Sequence, residues 1–151
     1  MHTSIRKIKL GDEARWRKLW DGYTRFYERE PSEETTQHLW TRLFDPQVPV
    51  HGIVAVTKED TVLGFANYLI HENTRFINPV CYLQDLFVDP ETRGAGVGRN
   101  LINWLVTESA SKKWERLYWH TKENNYPARK LYDTFSPQSG FLLYSVQPKS
   151  K

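Results

Sequence analysis

Cysteine is almost absent from this chain, because Cys81 is the only one among 151 residues. A single cysteine excludes an intrachain disulfide and indicates a reducing compartment, for which we expect the cytosol, with the nucleus as the alternative. The neighbours of Cys81 in sequence are apolar, so we expect a buried structural thiol and not a nucleophile. No cluster of His and Cys has metal-ligand spacing, and the sequence therefore predicts no metal site.

Long apolar runs and dense basic runs are also missing. No apolar stretch approaches the roughly 18 residues needed to cross a bilayer, and the N-terminus lacks the charged-then-apolar pattern of a signal peptide. We therefore expect no membrane partner. The net charge of +3 suits a polyanionic ligand. However, no run of Lys or Arg is dense enough for a nucleic-acid-binding arm, so we do not expect nucleic acid as a partner.

What the chain does contain is typical of a globular protein. Hydrophobic residues make up 39% and aromatic residues 14% of the sequence, enough to build a sizeable core at this length. We predict that residues 1–151 form a single domain.

Hydrophobic periodicity predicts an α/β domain with a mixed sheet and the element order β-α-α-β-β-β-α-β-α-β. Apolar positions between Trp16 and Tyr27 recur at steps of three and four, which is typical of an amphipathic helix. Ser32 is expected to cap a second helix. The predicted strands are 4–10, 52–57, 61–70, 80–88, 116–121 and 141–146, and two further helices follow the glycine-rich loop and Asn125.

Residues 82–101 combine an apolar strand, a turn containing Pro90, a glycine-rich loop and the start of a helix. Backbone amides at such a helix N-terminus favour an anion such as a phosphate. The spacing of this loop does not match two familiar phosphate-binding motifs. A Walker-type loop needs a Lys after the glycines, and a dinucleotide fingerprint needs Gly at position 99, where this chain has Arg99.

The spacing that does fit is Arg93-x-x-Gly96-x-Gly98, directly after a strand that ends near Val88. Here the sequence resembles the GNAT superfamily of acyl-CoA-dependent N-acetyltransferases, whose signature lies at this strand-to-helix junction. A second match is Asn125-x-x-Ala128-x-x-Leu131-Tyr132, which is similar to the other cofactor-binding helix of that superfamily. The sequence of residues 82–90 is most similar to that of the histone and polyamine (diamine) acetyltransferase branch. The resemblance implies a mainly antiparallel mixed sheet flanked by helices.

The resemblance implies acetyl-CoA as co-substrate. Its pyrophosphate would lie on loop amides, with Arg93 adding charge, and its pantetheine arm would pair with the end of the central strand. Asn125 would hydrogen-bond that arm, with simple helix capping as the alternative. The remaining residues implied to bind it are Leu86, Phe87, Val88, Gly94, Gly96, Val97, Gly98 and Arg99, the amide of Val88 polarising the thioester carbonyl.

Two residues are implied in catalysis. Tyr132 occupies the general-acid position of the family and would protonate the CoA thiolate, with packing on its helix as the alternative. Asp85 is the only carboxylate on the central strand beside the thioester position, so it is the first candidate for the general base, with structural pairing as the alternative. Because the diamine acetyltransferases carry an acid where this chain has Gln84, a base acting through water (Glu28, Glu30 or Glu72) stays open.

The acceptor is expected to be a small cationic amine, such as a polyamine, a diamine or a basic amino acid, attacked directly in a ternary complex. Tyr27, Glu28, Glu30 and Gln84 are the predicted substrate-binding residues. A protein lysine, as in a histone, and a non-catalytic acetyl-CoA-binding module are the alternatives. We expect a homodimer, because this branch commonly self-associates and the 133–140 connection is long enough for strand exchange.

Overall fold

The computed structural model describes residues 2–149. Contacts between Cα atoms divide the chain into two units, with the boundary between His120 and Thr121.

The first unit contains most of the regular structure. Two single 3-10 turns, at Leu10–Asp12 and Pro90–Thr92, precede α1 and α3. In chain order its elements are β1 (Thr3–Lys7), α1 (Glu13–Phe26), α2 (Glu33–Leu43), β2 (Val50–Thr57), β3 (Val62–His71), β4 (Val80–Val88), α3 (Val97–Lys112) and β5 (Leu117–Tyr118).

The sheet has five strands in the order β1-β2-β3-β4-β5. All neighbouring pairs are antiparallel except β4 and β5, which are parallel. The prediction of a mixed, mainly antiparallel sheet flanked by helices is therefore confirmed. The β4–β5 pairing is brief, since only Cys81 and Tyr82 have partners on β5.

Helices α1 and α2 cover one face of the sheet. Trp16 of α1 is fully buried and packs against Trp40 of α2 and Phe65 of β3. Burying each such side chain contributes roughly 1.5–3 kcal/mol. The alternate residues of the strands are equally buried, and α3 contacts β1 to β4, so it covers the opposite face. Phe87 of β4 belongs to the α1 face, where its ring meets those of Tyr23 and Phe65.

A β-bulge interrupts β4 at Gln84. Asn67 of β3 pairs with Asp85 and the next residue of β3, Tyr68, pairs with Leu83, so Gln84 has no partner opposite it. The bulge changes which side chains share a face. Because Asn67 and Leu69 are two residues apart on β3, their partners Asp85 and Tyr82 point to the same side of the sheet.

Residues 121–149 of the second unit contain one helix, α4 (Tyr126–Tyr132), and its predicted start is confirmed. Asn125 is the N-cap, with its side-chain oxygen 3.4 Å from the amide of Ala128, and Pro127 lies in the first turn.

Two predicted strands differ from the structure. The strand expected over 116–121 is reduced to Leu117–Tyr118, because β5 leaves β4 after two pairs. The strand expected over 141–146 does not form, and the prediction of a tenth element was wrong for the chain as described. Its mostly apolar residues have no neighbouring strand between residues 2 and 149, and a strand without one lacks the hydrogen bonds that stabilise it. Phe141 is 90% and Tyr144 87% exposed.

Candidate functional site

The glycine-rich loop adopts a backbone conformation that explains its composition. Gly94 and Gly96 have φ angles of 90° and 77°, in the left-handed region that disfavours residues with a Cβ. A Cβ built on either would meet nothing within 4 Å, so open space lies beside this backbone. Gly96 is the N-cap of α3, whose first amides lack intrahelical acceptors. The loop therefore combines accessible backbone with the positive end of a helix dipole.

The end of β4 has an open edge. The amide of Asp89 donates to the carbonyl of Leu63 on β3 over 2.8 Å, so the backbone groups of the alternate residues Val88 and Leu86 point away from β3. On that side β5 pairs only as far as Tyr82. Within residues 2–149, no strand therefore covers the edge at Leu86 and Val88, which leaves it open for an extended ligand.

Arg93 lies against this edge. Its Nε donates to the carbonyl oxygen of Val88 over 3.3 Å, and its guanidinium lies 5.3 Å from the ring centre of Phe87 and 5.7 Å from that of Phe26. The positive charge predicted for the loop is therefore held beside the end of β4 by a hydrogen bond and two cation–π contacts.

Asp85 occupies a largely desolvated position on the α1 face. Burial raises the pKa of its carboxyl above the ordinary value, and hydrogen bonds from Asn67 and Tyr23 oppose this only partly. The Nδ2 of Asn67 donates to Oδ2 of Asp85 over 3.1 Å. Asn67 is itself 1% exposed, and its Oδ1 has no hydrogen-bond partner among residues 2–149. A carboxylate with a raised pKa is a stronger base than an exposed one, which suits it to accept a proton.

A cluster of tyrosine and histidine side chains continues from Asp85 along the same face. The ring of Tyr82 lies 4.8 Å from that of Tyr118, tilted by 33°, and the hydroxyl of Tyr82 lies 3.1 Å from Nδ1 of His120. The hydroxyl of Tyr118 lies 2.6 Å from Nε2 of His71. Burial raises the pKa of Tyr82, with smaller contributions from Tyr118 and Asp85. Both histidines are exposed, so hydrogen-bonded groups extend from the neighbourhood of Asp85 to solvent.

The predicted acceptor-binding residues lie at two places in the first unit. Gln84 is exposed at the bulge. Tyr27 is the C-cap that follows α1, and its ring contacts that of Tyr23 edge-on at 5.0 Å. Glu28 is exposed with a φ of 60°, and Glu30 forms an exposed ion pair with Arg25 at 3.4 Å. Tyr23 therefore links Tyr27 to Asp85, whereas the two glutamates face solvent.

Two predicted residues belong to the second unit. Asn125 caps α4 and its Nδ2 donates to Oγ1 of Thr121 over 3.2 Å, so the capping alternative describes what its side chain does in this structure. Tyr132 is the last residue of α4 and is partly buried.

Sequence reasoning did not identify Asn67 or Tyr82 as site residues. A signal existed for Asn67, because it is the one amide within the apolar run 62–70 and a buried polar group requires a partner. Tyr82 could not be found, since without the bulge it would lie on the opposite face from Asp85.

Cys81 is fully buried, as expected, and burial raises the pKa of its thiol to about 12. A thiol with that pKa is protonated at neutral pH and is a poor nucleophile. Across the described part of the chain, no three His, Cys, Asp or Glu side chains are grouped so as to hold a metal ion. No helix between residues 2 and 149 is both long and apolar enough to cross a membrane.

Comparison with known proteins gives consistent results. The model of the acetyltransferase (GNAT) family matches residues 14–135. The chain is 31% identical over 141 residues to the D-amino-acid N-acetyltransferase HPA3 of Saccharomyces cerevisiae, which covers 93% of this chain and 88% of the yeast protein. It is 24% identical over 152 residues to the uncharacterized N-acetyltransferase YhfO of Bacillus subtilis, with 98% and 99% covered.

The fold is similar to that of solved structures. AAC(6')-Iy in complex with the bisubstrate analogue CoA-S-monomethyl-acetylneamine superposes with a TM-score of 0.82 at 18% identity, over 99% of this chain and 100% of that chain. An integron cassette protein from the mobile metagenome of V. cholerae gives a TM-score of 0.81 at 25% identity, over 98% and 94%.

Proposed function

The chain belongs to the acetyltransferase (GNAT) family and is an acyltransferase, and from this premise we propose that it transfers the acetyl group of acetyl-CoA to a primary amine, by direct attack in a ternary complex. The observation that carries the proposal is the open edge of β4 at Leu86 and Val88, close along the strand to the desolvated carboxyl of Asp85.

The residues around the glycine loop fit acetyl-CoA. Left-handed glycines with open space beside them let phosphate oxygens approach the backbone of Gly94 to Arg99, and the dipole of α3 favours the negative charge. The outward-pointing groups of Leu86 and Val88 would pair with the pantetheine arm, and the Val88 amide would hydrogen-bond the thioester carbonyl oxygen as charge develops on it. Acetyl-CoA supplies the activated acetyl group when bound.

Asp85 is the proposed general base. A lysine-like ammonium has a pKa near 10.4, so only roughly one molecule in 2,500 is neutral at pH 7. The ammonium must lose a proton before the lone pair of the resulting amine can form the new C–N bond. That proton must finally reach solvent. Tyr82 shares a face with Asp85 and hydrogen-bonds the exposed His120, which offers a route outward.

Tyr132 is the proposed general acid that protonates the leaving thiolate as the C–S bond breaks. A phenol with a pKa near 10 is suited to a thiolate leaving group. Asn125 would hydrogen-bond the pantetheine arm, a role that its amide must combine with capping α4. These two roles rest on the match of residues 125–132 to the motif of the family.

The acceptor is proposed to be a small cationic amine. Glu28 and Glu30 are exposed at the end of α1, and Tyr27 contacts Tyr23, which hydrogen-bonds Asp85. A second acceptor class, an α-amino acid, is favoured by the name of the yeast relative. A protein lysine and a non-catalytic acetyl-CoA-binding role are the remaining alternatives, and the cytosol or nucleus is the proposed compartment.

We also propose a homodimer, because the apolar segment Phe141–Val146 is exposed in a single copy and would gain a strand partner from a second one.

The test is acceptor-dependent thiol release from acetyl-CoA with a panel of polyamines, diamines, amino acids of both hands and histone peptides. Enzymatic transfer predicts release that rises with one class of amine. A binding module predicts saturable CoA binding and no amine-dependent release.

A further inference from the structure

Four cationic side chains surround one surface cavity of the first unit. The cavity has a volume of about 470 Å³ and lies between one flank of α1 and the end of β4. Its cationic lining is Arg15, Lys18, Arg25 and Arg93, and its aromatic lining is Phe26 and Phe87.

The positive charge of this cavity is only partly compensated. Asp89 is the one acidic residue among the described lining residues, and it is already ion-paired with Arg15. In the described part of the chain, Arg25 forms an ion pair only with Glu30, whose side chain is 90% exposed. Lys18 forms no ion pair within residues 2–149. Like charges grouped at one cavity repel each other and attract an anion, so this surface suits an oxyanion.

The aromatic lining of the cavity favours an organic anion in particular. Phe87 and Phe26 both contact the guanidinium of Arg93, and Phe26 is 52% exposed. A phosphate or carboxylate carried by a planar or apolar group could meet the cations while its carrier contacts these rings.

The position of the cavity relates it to the transfer reaction. Arg93 lines the cavity and immediately precedes Gly94 of the glycine loop, so the two places are one residue apart along the chain. Phe87 lies two residues from Asp85 on the same face. A ligand that binds at the loop or beside Asp85 could therefore place another of its own chemical groups in the cavity.

We propose that this cavity binds an oxyanion carried by one of the two substrates, with Lys18 and Arg25 as its principal charges. The inference rests on the proposed function. Its position beside the glycine loop favours the ribose phosphate of acyl-CoA, and the carboxylate of the acceptor is the other source of the same chemistry. This assigns α1 a part in binding that the loop motif does not contain.

The experiment compares the wild type with the double variant Lys18→Gln/Arg25→Gln, and uses Lys58→Gln, in the exposed β2–β3 turn, as the matched control. Equilibrium binding is measured calorimetrically with CoA and with dephospho-CoA, which lacks the ribose phosphate. If that phosphate occupies the cavity, the double variant binds CoA about tenfold more weakly, while its affinity for dephospho-CoA does not change. The difference should shrink at high salt.

A second arm addresses the carboxylate. If the acceptor supplies the anion, CoA binding stays unchanged, and the KM for an amino acid rises about tenfold with no change for the corresponding decarboxylated amine. The proposal is overturned if the double variant, folded by circular dichroism, shows neither change. Failure of the proposed transfer would be recognised separately, as CoA binding without acetylation of any amine.

Discussion

At the scale of single residues, the proposed chemistry depends on the carboxyl group of Asp85, which burial desolvates and which Asn67 and Tyr23 hydrogen-bond. Its place on the central strand could be predicted, because the apolar run 86–88 and the following Asp89-Pro90 turn define that strand. Its desolvation and its contacts with Asn67 and Tyr23 could not, since they depend on which residues β3 and α1 bring against it. The contact made by Asn125, in contrast, was predictable, because capping of α4 depends only on local sequence.

The first prediction concerns Asp85→Asn. As a general base, Asp85 acts when ionised, so kcat/KM of the wild type should fall as pH drops through a pKa that burial raises above the ordinary ~3.9. The variant is expected to lose about 10²-fold in kcat and to lack this acidic limb. The pH dependence of kcat/KM is the measurement, and Asp21→Asn on α1 is the control. A variant with the full acidic limb would remove Asp85 from the mechanism.

The same variant separates function from stability. A folded-state pKa above the unfolded value means that ionising Asp85 lowers the free energy of unfolding as pH rises through that range. Asparagine carries no charge to desolvate and can still accept the hydrogen bond from Asn67. The melting temperature of Asp85→Asn at pH 7 should therefore equal or exceed that of the wild type.

At the scale of elements, the strand-to-helix junction from β4 to α3 was the most predictable part of the fold. The bounds of β4 agree with the expected 80–88, and the glycines mark the loop by their spacing. The bulge at Gln84 was not predictable, because an extra residue on β4 is defined only against the register of β3. That bulge brings Tyr82 onto the face of Asp85.

The second prediction tests this junction through Gly96→Ala. With a φ of 77°, Gly96 favours a residue without a Cβ, so alanine should cost about 1 kcal/mol in the free energy of unfolding. It should also weaken CoA binding, since the strain is relieved by moving the first amides of α3. Gly11→Ala is the control, because Gly11 has equally open surroundings and no positive φ. Unchanged CoA affinity in Gly96→Ala, measured calorimetrically, would contradict the placement of the phosphates.

At the scale of the whole molecule, the C-terminal segment shows why a strand pattern can mislead. Residues 141–146 have the apolar character of a strand, yet β-structure requires a neighbouring backbone, which sequence pattern does not specify. In the described chain these side chains are exposed. Periodicity located the five strands that form the sheet, whereas it does not specify a strand partner for residues 141–146.

The third prediction follows from the proposed homodimer. A chain ending at Gly140 lacks the exposed apolar segment Phe141–Val146, so it should sediment as a monomer where the full chain sediments as a dimer. The double variant Leu142→Asp/Tyr144→Asp keeps the length of the chain and should behave like the truncated form. A full-length chain that remains monomeric at all accessible concentrations, or a truncated chain that still dimerises, would contradict the exchange of this segment.

Direct transfer from acetyl-CoA to an amine can be followed in a single-turnover experiment with acetyl-labelled CoA and the best amine of the panel. We expect the label to pass from acetyl-CoA to the amine at the rate of thiol release, with none on the protein, because the buried thiol of Cys81 is protonated. Label that appears first on the protein, or that is released as acetate whether or not an amine is present, would contradict it.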